Sequence, residues 1–460
     1  MSNKSSVYVN ICKDYNVSEI VSLLPDEIFD HVAPGNSVVI KPNWVMESHR
    51  FRLDDWEYVI THPAVITAVL HKVFERLSGK GQVAIIDGPM TEASFDKLIS
   101  HYPVQEWRHL AIQNGIELEI IDLREHEWEM KNDVVVKRKP LTGDPKGKVL
   151  VDLLGENSEF WEHRKSQRGY YGADYDRAET NHAHNGTHNL YSVSRTVIDA
   201  DVFINMPKLK THRTAGITCC LKNLVGINTY KNYLPHYSEG GPSESGDQFP
   251  FDNLNARIEG PLAAVIKQRV LRNPLLAKYL TPLNTIGKKL FGDSKTVVRN
   301  GSWFGNDTIW RMILDLNKVL LYANADETMR PEPHVQTKRY IGVVDAILAG
   351  DGEGPLSPQP VDMGYLICGT NPVAIDTTCA TLMGYDWQKI PTISKAFEVK
   401  SYPLCDFSIE EIEIIFNGVK HSLDQIPDNF VVPFKPQHGW KGHIENLALQ
   451  RRAAVTPEIL

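Results

Sequence analysis

The chain has 460 residues, 42% of them hydrophobic and 23% charged, which suits a globular protein with one large core or two and excludes a low-complexity chain. A formal net charge of −8 argues against general nucleic-acid binding, which needs a basic face, and leaves room for a local basic pocket that takes a small anion. The first residues carry no apolar signal core, no run approaches a membrane span and the six cysteines show no disulfide spacing, so a reduced, cytoplasmic protein without membrane contact is expected.

The first quarter alternates strand and helix. Residues 7–12 alternate as a short strand, 17–24 space their apolar residues as a helix, and 37–40 form an apolar strand after a Gly35-Asn36 turn. Lys41, Pro42 and Asn43 stand at its carboxyl end. Thr61-His62-Pro63 opens a helix whose apolar residues keep helical spacing from Val65 to Leu77, until Gly79 and Gly81 end it. A strand over 82–86 runs into Asp87-Gly88-Pro89, a helix over 104–113 follows, and a strand over 116–122 closes the unit. Open α/β sheets of this kind bind ligands at the carboxyl ends of their strands. Lys41 and Asn43 are therefore candidate substrate contacts, the alternative being an ordinary polar strand end.

From 125 to 160 the pattern turns to β. Residues 134–138 and 148–153, joined by Gly143-Asp-Pro-Lys-Gly147, predict an inserted hairpin. The polar stretch after it holds His182, His184 and His188, which have metal-ligand composition; the alternative is a hydrogen-bonded polar loop.

The most informative stretch follows. Residues 202–204 predict a buried strand, and Pro207 is expected to stop it. Lys208, Lys210 and His212 then fall within five residues, Gly216 breaks the loop, and 217–225 read as a helix carrying Lys222 and Asn223 among apolar neighbours. This arrangement points to a pocket for a carboxylate or phosphate. Lys208 and Lys210 would hold the anion, His212 would transfer protons, and Lys222 would be a lowered-pKa base or a cofactor anchor. The alternative for Lys208 and Lys210 is a pair of solvated loop charges.

Residues 230–249 form a long loop read as a lid or substrate loop, with His236 and Tyr237 as its contacts. A proline-interrupted helical section over 254–291 reads as a cap, and the apolar stripe of 308–322 as a core helix. A strand over 340–344 leads to Asp345. The Gly350–Pro355 loop then offers Asp351 and Glu353 for a divalent cation or for acid–base work, or is a plain glycine-rich turn. After a strand over 363–368, Asn371-Pro372 starts a helix in which Asp376 sits among apolar residues and wants a cation, with Lys222 the expected partner. A last strand over 409–417 precedes a tail.

Together these runs resemble a known family. Asp201-Val-Phe-Ile-Asn-Met-Pro-Lys-Leu-Lys-Thr-His212, Gly216-Ile-Thr218 and Leu221-Lys-Asn-Leu-Val-Gly226 look like the hallmark of the DUF362 family, whose function is uncharacterised. The resemblance continues at Val38 to Trp44, Thr61 to Val65, Asp87 to Pro89, Asp345 to Pro355 and Asn371 to Asp376. Some relatives carry an iron–sulfur module; the Cys-x2-Cys-x2-Cys run it needs is missing here, so no cluster is expected. The segment from His212 to Lys222 is also similar to one in the lactate racemase family, where the corresponding histidine and lysine serve a nickel-pincer cofactor. The Ser-Gly-Gly that precedes that lysine is absent here, and no cofactor is carried over.

The expected fold is α/β, with two lobes of mostly parallel, doubly wound sheet (1–200 and 201–425), an inserted β hairpin, a helical cap near 250–325 and a peripheral tail over 426–460. Lys41, Asn43, Lys208, Lys210, His212, Lys222, Asn223, Glu353 and Asp376 are expected to converge on the cleft between the lobes. The leading function is a small-molecule enzyme acting on an anionic substrate by proton or hydride transfer, as an isomerase or oxidoreductase. The alternatives are a metal-dependent hydrolase built on His182, His184 and His188 with Asp351 or Glu353, and a non-catalytic binding protein for a cofactor, metal or metabolite. A divalent metal is a candidate cofactor, and no nucleic-acid partner is expected.

Overall fold

Three short runs, Val38-Val-Ile, Val83-Ala-Ile-Ile and Val202-Phe-Ile, are apolar at successive positions, so each can be buried on both faces of a sheet. In the computed structural model, which describes residues 5–131, 134–174, 176–252, 300–332 and 336–455, these runs form the parallel centre of an eleven-stranded sheet. In chain order the strands are β1 (Ser5–Ile11), β2 (Ser37–Pro42), β3 (Gln82–Asp87), β4 (Glu117–Asp122), β5 (His126–Lys131), β6 (Val134–Pro140), β7 (Lys148–Asp152), β8 (Tyr170–Gly172), β9 (Leu190–Ser194), β10 (Val202–Met206), β11 (Lys208–His212), β12 (Gly216–Thr218), β13 (Pro235–Ser238), β14 (Arg339–Glu353), β15 (Ser357–Gly369), β16 (Ile412–Phe416) and β17 (Val419–Ser422). The large sheet runs β17-β16-β1-β15-β14-β10-β2-β3-β4, with β11 beside β14 and β12 beside β11. Its pairs are parallel except at β1/β15, β14/β15, β16/β17 and β11/β12.

Alternate residues of each central strand serve opposite layers, as strand geometry requires. Val38, Ile40, Val202 and Ile204 join the core under the helix Pro63–Leu77. Val39 and Phe203 join the core under the helices Ile309–Tyr322 and Pro372–Leu382. The first of these helices starts where the sequence placed it: Pro63 occupies its first turn, and the His62 ring accepts the Ala64 N–H as the cap.

The α/β class stands, with a mostly parallel sheet. The two lobes do not have separate sheets, because β10 pairs with β2 in register, Asn205 opposite Lys41. An apolar run shows that a strand is buried and carries no information about which strand lies beside it. The inserted hairpin is also paired differently. β6 pairs with β5, and β7 pairs with β9, so Gly143 to Gly147 connects two small sheets. Pro207 ends β10 at Met206, as expected, but the basic residues that follow are not a loop: β11 carries them on as a strand against β14. The acidic glycine run is likewise no loop. Asp351 and Glu353 belong to the end of the long β14, paired with β15 as far as Glu353 opposite Ser357. Most of the expected helical cap, residues 253–299, lies outside the described residues. The segment expected as a peripheral tail is anchored: Phe434, Trp440 and Ile444 are buried, and the Trp440 indole N–H donates to the Arg213 carbonyl at 2.8 Å.

Candidate functional site

Along the sheet, β3 and β4 lie on one side of β2, and β10 and β14 lie on the other. The carboxyl ends of parallel strands open a crevice at such a change of direction. β2 delivers Lys41 and Asn43 there, β3 delivers Asp87, and the short helix Cys220–Asn223 delivers Lys222 and Asn223. These residues line a cavity of about 290 Å³ together with His212, Lys231 and His236.

A hydrogen-bonded network fixes the floor. Lys41 Nζ donates to Asp87 Oδ1 at 2.8 Å, to the Pro42 carbonyl at 2.9 Å and to Asn223 Oδ1 at 3.2 Å. Asn43 Nδ2 donates to the same Asn223 oxygen at 2.8 Å, and Asn223 Nδ2 donates to Asn205 Oδ1 at 2.7 Å. Asp87 also accepts the backbone N–H groups of Trp44 (2.7 Å) and Gly88 (2.8 Å). The buried ion pair is thus compensated on both sides, the condition under which such a pair survives away from water. It also explains Gly226: a Cβ there would lie 1.9 Å from Asp87 Oδ1 and 2.7 Å from Lys41 Nζ.

Above this floor stand groups with unspent bonding capacity. Lys222 makes no hydrogen bond or ion pair with any described residue. Burial, then the neighbouring charges of Lys231 and Lys41, push its pKa down to about 7. Lys231 donates to the Gly88 carbonyl at 2.6 Å, and burial lowers its pKa to about 8. His212 Nδ1 accepts the N–H groups of Thr214 (3.2 Å) and Ala215 (3.1 Å). That assigns the proton to Nε2, and burial holds the ring neutral, with its pKa well below the ordinary value. His236 is the opposite tautomer. Its Nδ1 faces the Leu234 carbonyl at 2.9 Å and must be the donor, so Nε2 is an acceptor; burial lowers its pKa to about 4. Asp174, whose pKa burial raises to about 6, accepts the Thr91 hydroxyl at 2.7 Å on another wall. Tyr171 and Tyr237 stack there at 5.1 Å with their planes 4° apart.

Of the residues expected to converge, Lys41, Asn43, His212, Lys222 and Asn223 line this cavity. The other four do not. Lys208 Nζ is 2.6 Å from Asp345 Oδ2 in a pair with both side chains fully buried, and it also donates to the Tyr15 hydroxyl at 3.0 Å. Lys210 donates to the Val59 carbonyl. Glu353 accepts Gln437 Nε2 at 3.0 Å and the His438 N–H at 3.2 Å, which ties the carboxyl-terminal segment down. Asp376 does not meet Lys222; it accepts the Cys220 and Leu221 N–H groups at 2.7 and 3.0 Å, capping the helix that presents Lys222. The histidine loop does not gather around a metal. His184 is buried, with one ring nitrogen on the Tyr233 carbonyl and the other on Asn189, while His188 faces Asp152 at 2.5 Å. Among the described residues, the three potential metal ligands that do cluster are Cys219, Cys220 and Asp376. They fit a metal poorly: burial keeps both thiols protonated, and both carboxylate oxygens already serve the helix cap.

His236 and Tyr237 were legible as loop contacts, and they reach the cavity because β13 pairs with β8. Lys231 and Asp174 carried no local signal. Both stand in polar stretches, where most charges face solvent.

The profile of the family described as a domain of unknown function, DUF362, matches residues 38–144 and 163–381. The chain belongs to the DUF362 family. Every cavity residue named above lies within those DUF362 segments. No curated protein matches the chain. Among solved structures, a Thermotoga maritima protein is 9% identical with a TM-score of 0.33, over 77% of this chain and 55% of that one. The lactate racemase apoprotein from Thermoanaerobacterium thermosaccharolyticum is 10% identical with a TM-score of 0.32, over 82% of this chain and 57% of that one. The DUF362 chain thus spans little more than half the length of either, and likeness at that level carries no functional argument. No described helix is long and apolar enough to cross a membrane.

Proposed function

We propose that the cavity binds a small carboxylate- or phosphate-bearing molecule and moves a proton on it, as an isomerase or oxidoreductase would. The observation that carries this reading is Lys222: a half-buried amine lining the cavity, with no bonding partner among the described residues and with Lys231 and Lys41 as cationic neighbours. Such a group is stabilised by an incoming anion. Asp87 does not satisfy it, because that carboxylate already takes Lys41 and two backbone N–H groups.

His212 and His236 supply the proton-handling side. One presents an N–H and the other a lone pair, so a bound molecule can donate to His236 while accepting from His212. Lys222, poised near neutrality, is the strongest base among the three. A set of carboxylates and phosphorylated metabolites, screened by thermal shift, tests the anion site. A stabilising anion should lose its effect in Lys222→Met. In turnover of that compound, His212→Ala should lower kcat more than it raises KM. Tight binding with no turnover of any stabilising anion would favour a non-catalytic binding protein.

A further inference from the structure

Lys222 has more than the properties of a base. Lys222 shares the cavity with Lys231, Lys41 and Arg213, whose charges disfavour its own, and the carboxylate that opposes them most, Asp87, is already engaged. A half-buried lysine held among other cations keeps a share of neutral amine near pH 7, and a neutral amine is a nucleophile toward carbonyl carbon. The two imidazoles that line the same cavity are the groups such a reaction needs. Lys222 is the foremost charge acting on His212, and the foremost on His236 as well. His212 Nε2–H can hold a carbonyl oxygen, and His236 Nε2 can take a proton.

We propose that Lys222 forms an imine with a small 2-oxo acid whose carboxylate rests on the Lys231 ammonium. This rests on the anion-site reading above and names its substrate class. The carboxylate belongs on Lys231 because Lys231 lines the same cavity as Lys222, bonds the Gly88 carbonyl and has no ion pair among the described residues, and in a 2-oxo acid the carbonyl carbon is bonded directly to the carboxylate. The Lys222 lone pair forms the C–N bond while the carbonyl oxygen takes up a proton, giving a carbinolamine. The C–O bond then breaks, and the oxygen leaves as water with the two hydrogens of the amine. His236 Nε2 accepts one of these hydrogens and passes it to the departing oxygen, and the His212 N–H stays bonded to that oxygen throughout. No oxidant, reductant or metal enters the balance.

The test is reductive trapping on the full chain: incubation with pyruvate and sodium cyanoborohydride, then intact mass and peptide mapping. One reduced pyruvate adduct per chain, located on Lys222 and lost in Lys222→Arg, is expected. Lys231→Met should abolish the preference for pyruvate over acetaldehyde, which lacks the carboxylate. No adduct on Lys222, or adducts spread evenly over surface lysines, would overturn the proposal, and the wild-type peptide map shows either result without reliance on a variant. A parallel thermal-shift series with pyruvate and acetate, without reductant, separates the two readings. Stabilisation without trapping overturns the imine and leaves the anion site standing. No trapping, together with no stabilisation by pyruvate, acetate or any member of the carboxylate and phosphorylated-metabolite set, overturns both.

Discussion

Lys208→Met distinguishes a charge that holds the fold from one that holds a ligand. By its place after a strand and near His212, Lys208 reads as an anion contact. In the structure its ammonium and the Asp345 carboxylate are fully buried, 2.6 Å apart. Removing the ammonium leaves Asp345 with the His62 N–H at 2.9 Å and the Tyr15 hydroxyl at 3.0 Å. Breaking a buried pair from one side costs about 3–5 kcal/mol. The two remaining bonds to the charged oxygen, about 1.5–3 kcal/mol each, place this loss near the low end, at about 3 kcal/mol. That is a shift of roughly 100-fold in the unfolding equilibrium. Urea unfolding, followed by the fluorescence of the nine tryptophans, should show the midpoint falling by about 1 M if the m-value is near 3 kcal/mol per molar. The double variant Lys208→Met/Asp345→Leu should recover most of the loss, since an apolar replacement of a whole buried pair is often neutral. Anion binding to the single variant, measured below its midpoint, should match wild type. A Lys208→Met protein as stable as wild type that no longer binds the stabilising anion would refute the reasoning and return Lys208 to the site.

Three further outcomes follow from the cavity. Burial lowers the Lys222 pKa to about 7, so between there and the ordinary lysine value the unfolded chain binds more protons than the folded one. Stability should therefore rise with pH across that window, anion affinity should fall as pH rises through about 7, and Lys222→Met should flatten both profiles in paired unfolding and calorimetric titrations. Gly226→Ala would drive a methyl into Asp87 Oδ1 and Lys41 Nζ; a loss of about 1–3 kcal/mol is expected from overpacking, read by urea unfolding, together with weakened anion binding. Asp376→Ala removes the acceptor for the Cys220 and Leu221 N–H groups. It should cost about 1–2 kcal/mol as a lost cap, and it should weaken anion binding by loosening the helix that aims Lys222; an unchanged stability and affinity would dismiss that positioning role.

What the sequence made legible and what it hid have one physical origin. Strand ends and helix caps are local features. Lys41, Asn43, Lys222 and Asn223 are legible because each interrupts or borders an apolar run, and the cap of the helix Pro63–Leu77 is legible for the same reason. The partner of a buried charge is not local. Lys208 and Lys210 stand in the same basic run as His212, yet one pairs with Asp345 on β14 and the other reaches the Val59 carbonyl. No spacing within residues 208–212 separates those fates. A register shift in β11 against β14, between Lys208 and Lys210, sets their relation to the neighbouring strand, and such a shift leaves no mark in composition. Glu353 is the mirror case: a glycine-rich acidic run looks like a loop unless the partner strand is known, and β15 supplies that partner.

The same logic explains why so many cations are needed for so small a site. Lys41 is neutralised by Asp87 and Lys208 by Asp345, and each pair anchors a strand end by bonds to backbone or side-chain groups of other elements. Neither has charge left for a ligand. Among the described residues, Lys222 and Lys231 are the two cavity lysines without a carboxylate of their own, and they enter the cavity from the chain that follows β12, whose placement depends on Asp376 capping the helix Cys220–Asn223. The paired lysines therefore build the crevice, and on the proposed reading Lys222 and Lys231 are the ones left to meet a ligand. A variant that removes a paired lysine should be read first in stability, and one that removes an unpaired lysine first in binding.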